Sequence, residues 1–151
     1  METKEWMQAL RDPHAKTAYR ALLELEQRSM ESDEVYGYAD TLIEMMNDTE
    51  HSYVRTRGIR LLAANARWDK EQKIDRVMDQ LLKHIEDEKP ITSRVCIQCL
   101  PLIAKYKPYL IASMMQALVT YHVLYNSSMQ KLIDQDRKKV MRILRQYEAE
   151  N

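Results

Sequence analysis

The sequence predicts an all-α protein assembled from stacked helix pairs, and three observations carry that expectation. Segments align at a spacing of 36 to 39 residues: Asp12, Asp48, Asp87 and Asn126 each precede an apolar run, and adding 39 carries Arg55 to Arg94 and Leu61 to Leu100. A period between about 20 and 50 residues marks units that bury their apolar faces only by stacking. Two glycines and four prolines in 151 residues supply too few tight turns for a sheet-rich fold. Finally, Ile74, Val77, Met78, Leu81, Leu82 and Ile85 recur at i, i+3, i+4, i+7, i+8 and i+11, one face of a helix.

Eight helices in four pairs follow. The first lies near residues 3–10 and ends at Asp12-Pro13, where Asp is a good N-cap and Pro suits a first turn. The second runs to about Met30. The third spans roughly 34–47, with Leu42, Ile43, Met45 and Met46 as its apolar set. Ser52 caps the fourth, which continues to Trp68, and the fifth covers about 73–86. Pro90 and Thr92 mark the sixth, ending near Tyr106; Pro101 inside it should kink or break it, because Pro lacks an amide and clashes with the preceding turn. Pro108 opens the seventh, and Asn126-Ser127-Ser128 separates it from a basic eighth. Short connections imply antiparallel neighbours, and the absence of any linker implies one domain over 1–151.

Composition narrows the class further. Apolar residues at 45% and charged residues at 30% describe an ordinary folded chain. No apolar run approaches the roughly 18 residues that span a bilayer, and Met1-Glu2-Thr3-Lys4-Glu5-Trp6 carries no apolar signal core, so a cytoplasmic location with no membrane partner is expected. The net charge of zero conceals segregation: residues 24–50 hold nine acidic side chains against Arg28 alone, whereas residues 52–70 hold Arg55, Arg57, Arg60, Arg67 and Lys70 against Asp69. Residues 131–147 hold six basic side chains against Asp134 and Asp136. Either alternate helices solvate themselves with opposite charge, or a basic strip faces a partner.

The run Val54-Arg55-Thr56-Arg57-Gly58-Ile59-Arg60-Leu61-Leu62 behind the Asp48 turn resembles the second helix of a HEAT repeat. The resemblance covers most of the chain and is sharpest in the two central units. It extends to small uncharacterised bacterial HEAT-like proteins sometimes labelled SufBD-like, although the chain has no iron–sulfur scaffold motif. It implies a right-handed α-α superhelix, armadillo-like, of about four HEAT-like helix pairs. The turn aspartates Asp48 and Asp87 would close the turns, with Arg55 and Arg94 as the structural arginines pointing back to a neighbouring turn. Helical geometry separately places Arg55 within the apolar arc: at about 100° per residue, Ile59, Leu62 and Ala66 fall within about 40° of it. A guanidinium buried there needs a hydrogen-bonded anion, and Asp48 or Asp87 is the expected partner.

On the same wheel Tyr53, Arg57, Arg60 and Arg67 fall opposite Arg55, between about 120° and 200°. In HEAT-like stacks second helices line the concave surface, so these residues, with Trp68 beside them, form the candidate partner-binding strip. Arg rather than Lys suits bidentate contact with carboxylate or phosphate. A solvated face without a ligand explains the same pattern.

The remaining chemistry-bearing residues give no catalytic set. Cys96 and Cys99 form one C-x-x-C, at most two ligands where a structural zinc needs four, and His84 and His122 stand at no ligand spacing. Small semi-buried helix positions account for both cysteines, and no metal or cofactor is expected. Trp68-Asp69 invites comparison with HEAT-like DNA glycosylases, which pair aromatic residues with an Asp in a basic groove, but this chain is neutral where such a groove is basic. Nine tyrosines and no phenylalanine fit either packing at repeat edges or interface anchors.

The expected function is therefore a non-enzymatic protein–protein interaction module or small scaffold. It would bind an acidic segment of a protein partner on the concave strip, extended by Lys138, Arg142 and Arg145 of the eighth helix. The alternative is nucleic-acid binding or DNA repair through the same arginines with Trp68 and Asp69. A purely structural homo-oligomer is a third possibility.

Overall fold

The computed structural model describes residues 1–151 and contains helices and no strand. The α-helices are α1 (Thr3–Ala9), α2 (Ala15–Glu31), α3 (Ala39–Met46), α4 (Ser52–Ala64), α5 (Lys73–Lys83), α6 (Pro90–Tyr106), α7 (Ile111–Val119) and α8 (Ser127–Glu150). Four single 3₁₀ turns complete them: Val35–Tyr38 leads into α3, Ala66–Trp68 follows α4, His84–Glu86 follows α5, and Pro108–Leu110 leads into α7. All eight expected helices form, but α3 begins at Ala39 rather than near 34, and α7 ends at Val119, so residues 120–126 before α8 are not helical. Ser52 is the first residue of α4 rather than its cap, a role taken by His51.

Two compact units make up the chain, Met1–Ile74 and Asp75–Asn151. In the first, α1 packs on α2, α3 on α4, and the second helices α2 and α4 on each other. In the second, α6 packs on α8 and α7 on α8. Each unit thus brings two second-of-pair helices together.

The recurring aspartates act through the backbone at each turn. Asp12 accepts from the His14 amide, Asp48 from the amides of Glu50 and His51, and Asp87 from the Lys89 amide. Asn126 accepts from the Met129 amide as the N-cap of α8. These side-chain oxygens tie down the tight entry to the next helix, where amides would otherwise be orphaned.

Burial fixes the repeat register, and it is not a uniform 39. On α2 the buried set is Ala18, Ala21, Leu22, Leu25 and Ser29. Advancing 37 residues gives Arg55, Gly58, Ile59, Leu62 and Ala66; advancing a further 38 gives Ser93, Cys96, Ile97, Leu100 and Ala104; every one is buried. In this register Arg94 corresponds to Thr56, and Ser93 takes the place of Arg55. The small members Ala21, Gly58 and Cys96 coincide, which marks a point of close helix approach. At Gly58 an added Cβ would lie 2.6 Å from the Met46 amide nitrogen and 2.8 Å from the Leu42 carbonyl oxygen.

Pro101 does not break α6, which runs through it to Tyr106. It sits at a half-buried position, and the helix continues although the Ile97 carbonyl loses its amide donor there.

Candidate partner-binding face

The arginines of α4 lie along its contact with α2. Arg57 is buried; its Nη1 donates to the Leu10 carbonyl at 2.9 Å, and its guanidinium lies 4.9 Å from the centre of the Tyr53 ring. Leu10 caps the end of α1, so a positive charge there meets the negative end of a helix dipole. Burial pulls the pKa of Arg57 down from its ordinary value, with Tyr53 opposing the shift. Arg60 reaches sideways to α2, where Nε and Nη2 grip the two oxygens of Glu26 at 3.0 and 2.7 Å. Arg67 Nη1 approaches the Met30 carbonyl at 3.4 Å, and Trp68 Nε1 donates to the Ser29 carbonyl at 2.7 Å.

The expected solvent-facing strip is thus a seam. A helical wheel gives the direction in which a side chain leaves its helix, not what fills the space beside it. Here α2 fills it, and long guanidinium arms fold over onto its carboxylate and last carbonyls. Of the five residues Tyr53, Arg57, Arg60, Arg67 and Trp68, only Tyr53 is well exposed, at 47%; its ring stacks on His51 with centroids 5.1 Å apart.

The structural residues divide. Arg55 is 5% exposed, as expected, and its Nη1 donates to the Asp48 backbone carbonyl at 3.1 Å. Asp48 carries a pKa below the usual carboxylate range, chiefly because the His51 amide donates to it. Asp87 holds His84 Nδ1 at 2.8 Å with its second oxygen. Arg94 departs from expectation. It is half-buried and pairs with Asp136 of α8, Nε to Oδ2 at 2.7 Å, which raises its pKa. The one-residue register shift explains this: Arg94 leaves α6 on the side facing α8 rather than toward a turn.

Asp69 does not stand free beside Trp68. It is buried, accepts from the amides of Lys73 and Ile74 as the cap of α5, and receives the Tyr36 hydroxyl at 2.5 Å. Desolvation and this carboxylate push the Tyr36 hydroxyl pKa up. Three donors thus hold this carboxylate at the entry to α5. Cys96 is fully buried with its thiol toward the Leu81 carbonyl, and burial raises its pKa well above the ordinary value. Lys138, Arg142 and Arg145 are exposed on α8, in the other unit from the α4 arginines.

Beside the seam lies a face the sequence reasoning did not single out. Tyr19, Leu23 and Met30 of α2 are 53%, 44% and 60% exposed. Spaced i, i+4 and i+11, they share an arc about 40° wide. Glu26, already held by Arg60, lies about 20° beyond one edge of that arc. The signal was present in the sequence: with Ala18, Ala21, Leu22, Leu25 and Ser29 assigned to the core, these three apolar residues fall outside it.

A buried lysine cluster occupies the second unit. Lys107, 4% exposed, donates to Asp75 at 2.5 Å, and the Tyr109 hydroxyl donates to the same carboxylate. Asp75 is held below the usual carboxylate range by these donors against the cost of burial. The cluster joins the start of α5 to the α6–α7 connection.

No helix is long and apolar enough to cross a membrane. Comparison with protein-family models, curated proteins and solved structures gives no match to this chain.

Proposed function

We propose that the chain is a non-enzymatic protein-interaction module or small scaffold, a HEAT-like superhelix of four helix pairs in one domain, acting in the cytoplasm. Its docking face is the outer surface of α2 together with Tyr53. The observation that supports this is the exposed arc Tyr19, Leu23 and Met30 beside a seam that is already satisfied. Large apolar side chains on a rigid helix, flanked by polar groups whose partners are in place, are what an interface anchor needs.

The partner chemistry follows from the same geometry. Arg60 is neutralised by Glu26 and Arg57 lies under Tyr53, so recognition rests on apolar anchors more than on acidic residues of a ligand. A nucleic-acid ligand would have to take Arg60 from a bidentate carboxylate, and Asp69 is spent on capping α5. A protein partner therefore fits this face better than a nucleic acid.

Capture of partners from a native lysate with wild type, Leu23→Glu and Tyr53→Ala tests it. Both residues are exposed, so both variants keep their fold by circular dichroism. Loss of the same captured proteins in both variants is the expected result; an unchanged set removes this face.

A further inference from the structure

The α2 stripe has a polarity of charge along its length. Lys16 and Arg20 are exposed in its first half, Gln27 and Glu31 in its second. On the wheel all four lie on one flank of the Tyr19–Leu23–Met30 arc, between about 40° and 100° from its middle. Arg20 stays on that flank with its guanidinium 6.0 Å from the Trp6 ring centre, and Gln27 Nε2 donates to Glu31 at 3.1 Å.

Resting on the assignment of this face as a docking surface, we propose that it is occupied by a second copy of this chain, with the two α2 helices antiparallel about a two-fold axis near Leu23. A two-fold interface requires one patch to complement itself. Antiparallel helices set like flanks against each other in reversed order. That order brings Lys16 beside Glu31 of the second copy, Arg20 beside Gln27, and Leu23 against Leu23. The methylene stem of Lys16 then covers Met30 of the second copy, leaving its ammonium at the rim. In a parallel two-fold pairing each charged flank meets the opposite flank of the second copy, where α2 offers Lys16 no acidic residue at its own level. The distribution of sign along α2 therefore selects both the occupant and its direction. One helix face per copy buries less than the standard interface, so the dimer is reversible and concentration-dependent.

Sedimentation equilibrium of the full chain, up to about 1 mM, reaches the range in which interfaces below about 1,200 Å² populate. Wild type dimerises with concentration, and Leu23→Glu stays monomeric. Lys16→Glu and Glu31→Lys each weaken the dimer by about five-fold, because the two-fold repeats each contact. The double variant Lys16→Glu/Glu31→Lys recovers wild-type dimerisation to within about two-fold. Thermal melts of every variant match wild type, because the substituted residues are at the surface. A wild type that is monomeric throughout, or a Leu23→Glu variant that dimerises as well as wild type, overturns the proposal. A double variant no better than the singles overturns the antiparallel register. If the chain is monomeric while lysate capture still depends on Leu23 and Tyr53, the docking face stands and its occupant is a different protein.

Discussion

Arg60 and Glu26 form a two-pronged pair between α4 and α2, with Nε to Oε2 at 3.0 Å and Nη2 to Oε1 at 2.7 Å. Their side chains are 28% and 27% exposed, so the pair is neither dry nor freely solvated. Bidentate geometry sets the rotation of one second helix against the next, in addition to whatever stability it supplies. Together with Arg57 on Leu10 and Trp68 on Ser29, it forms a line of contacts from α4 onto α1 and α2.

A double-mutant cycle on Arg60→Ala and Glu26→Ala should give a coupling of about 0.5–1 kcal/mol in urea unfolding, the upper range for pairs that remain partly wet. The coupling should shrink in high salt, since solvent reaches both groups. Purely additive single effects would show that the pair orients the helices without stabilising their contact.

Arg55 and Arg94 should differ, although the sequence repeat aligns them. Arg55→Ala removes a buried charged donor from the Asp48 carbonyl and truncates a side chain on the buried arc that α4 shares with Ile59 and Leu62. Hydrogen bonds to charged groups contribute about 1.5–3 kcal/mol, so a loss of at least about 2 kcal/mol is expected. Arg94→Ala breaks a pair whose arginine side chain is 30% exposed, and should cost about 1 kcal/mol or less. Urea midpoints decide it. Equal losses at the two positions would restore the 39-residue register and remove the burial-based one.

The all-α class and the order of eight helices were legible because apolar periodicity and the Asp turns are local signals. Ile74 through Ile85 needed no knowledge of neighbours to read as a helix. Arg55 was legible too, because it falls inside its own helix's apolar arc. What failed depended on neighbours. The 39-residue offset aligned Arg55 with Arg94 by residue type, yet the turn-to-helix distance shortens by one between α4 and α6, and only burial reveals it. Arg57 and Arg60 were legible as pointing away from the α4 core, but not as reaching the end of α1 and the side of α2, since chain direction carries no information about lateral packing. Tyr19 and Leu23 were not legible as a face of their own, because the buried arc of α2 is fixed only by the α1 and α4 helices that pack on it.

Asp48 should make the protein acid-sensitive. Its pKa is lowered in the folded state, first by the His51 amide and also by the Glu50 amide. A group whose folded pKa lies below its unfolded value contributes stability that is complete above the unfolded pKa, about 3.9 for Asp, and that is lost as pH falls through the folded one. Urea stability should therefore fall between about pH 5 and pH 2, and Asp48→Asn should be less stable than wild type at pH 6 but converge with it in acid. A constant difference between the two proteins across that range would mean the Asp48 charge contributes nothing beyond its hydrogen bonds.

The two glycines should respond in opposite directions to alanine. Gly58 sits where α3 and α4 approach closely, and a Cβ there meets the Met46 nitrogen at 2.6 Å, the Leu42 oxygen at 2.8 Å and the Met45 Cβ at 3.0 Å. Two of these are backbone atoms, which cannot swing aside as a side-chain tip would. Overpacking of this kind costs about 1–3 kcal/mol and occasionally more, against a helix-propensity gain for alanine of about 1 kcal/mol. Backbone on backbone places Gly58→Ala at the upper end, for a net loss of about 2 kcal/mol. Gly37 meets nothing within 4 Å and has no positive φ. Gly37→Ala should therefore gain about 0.4–1 kcal/mol by restricting the unfolded chain. Thermal or urea unfolding of the two single variants checks both signs. A neutral Gly58→Ala would show that α3 and α4 can separate without penalty, and the coincidence of Ala21, Gly58 and Cys96 would then lose its meaning as a point of close approach.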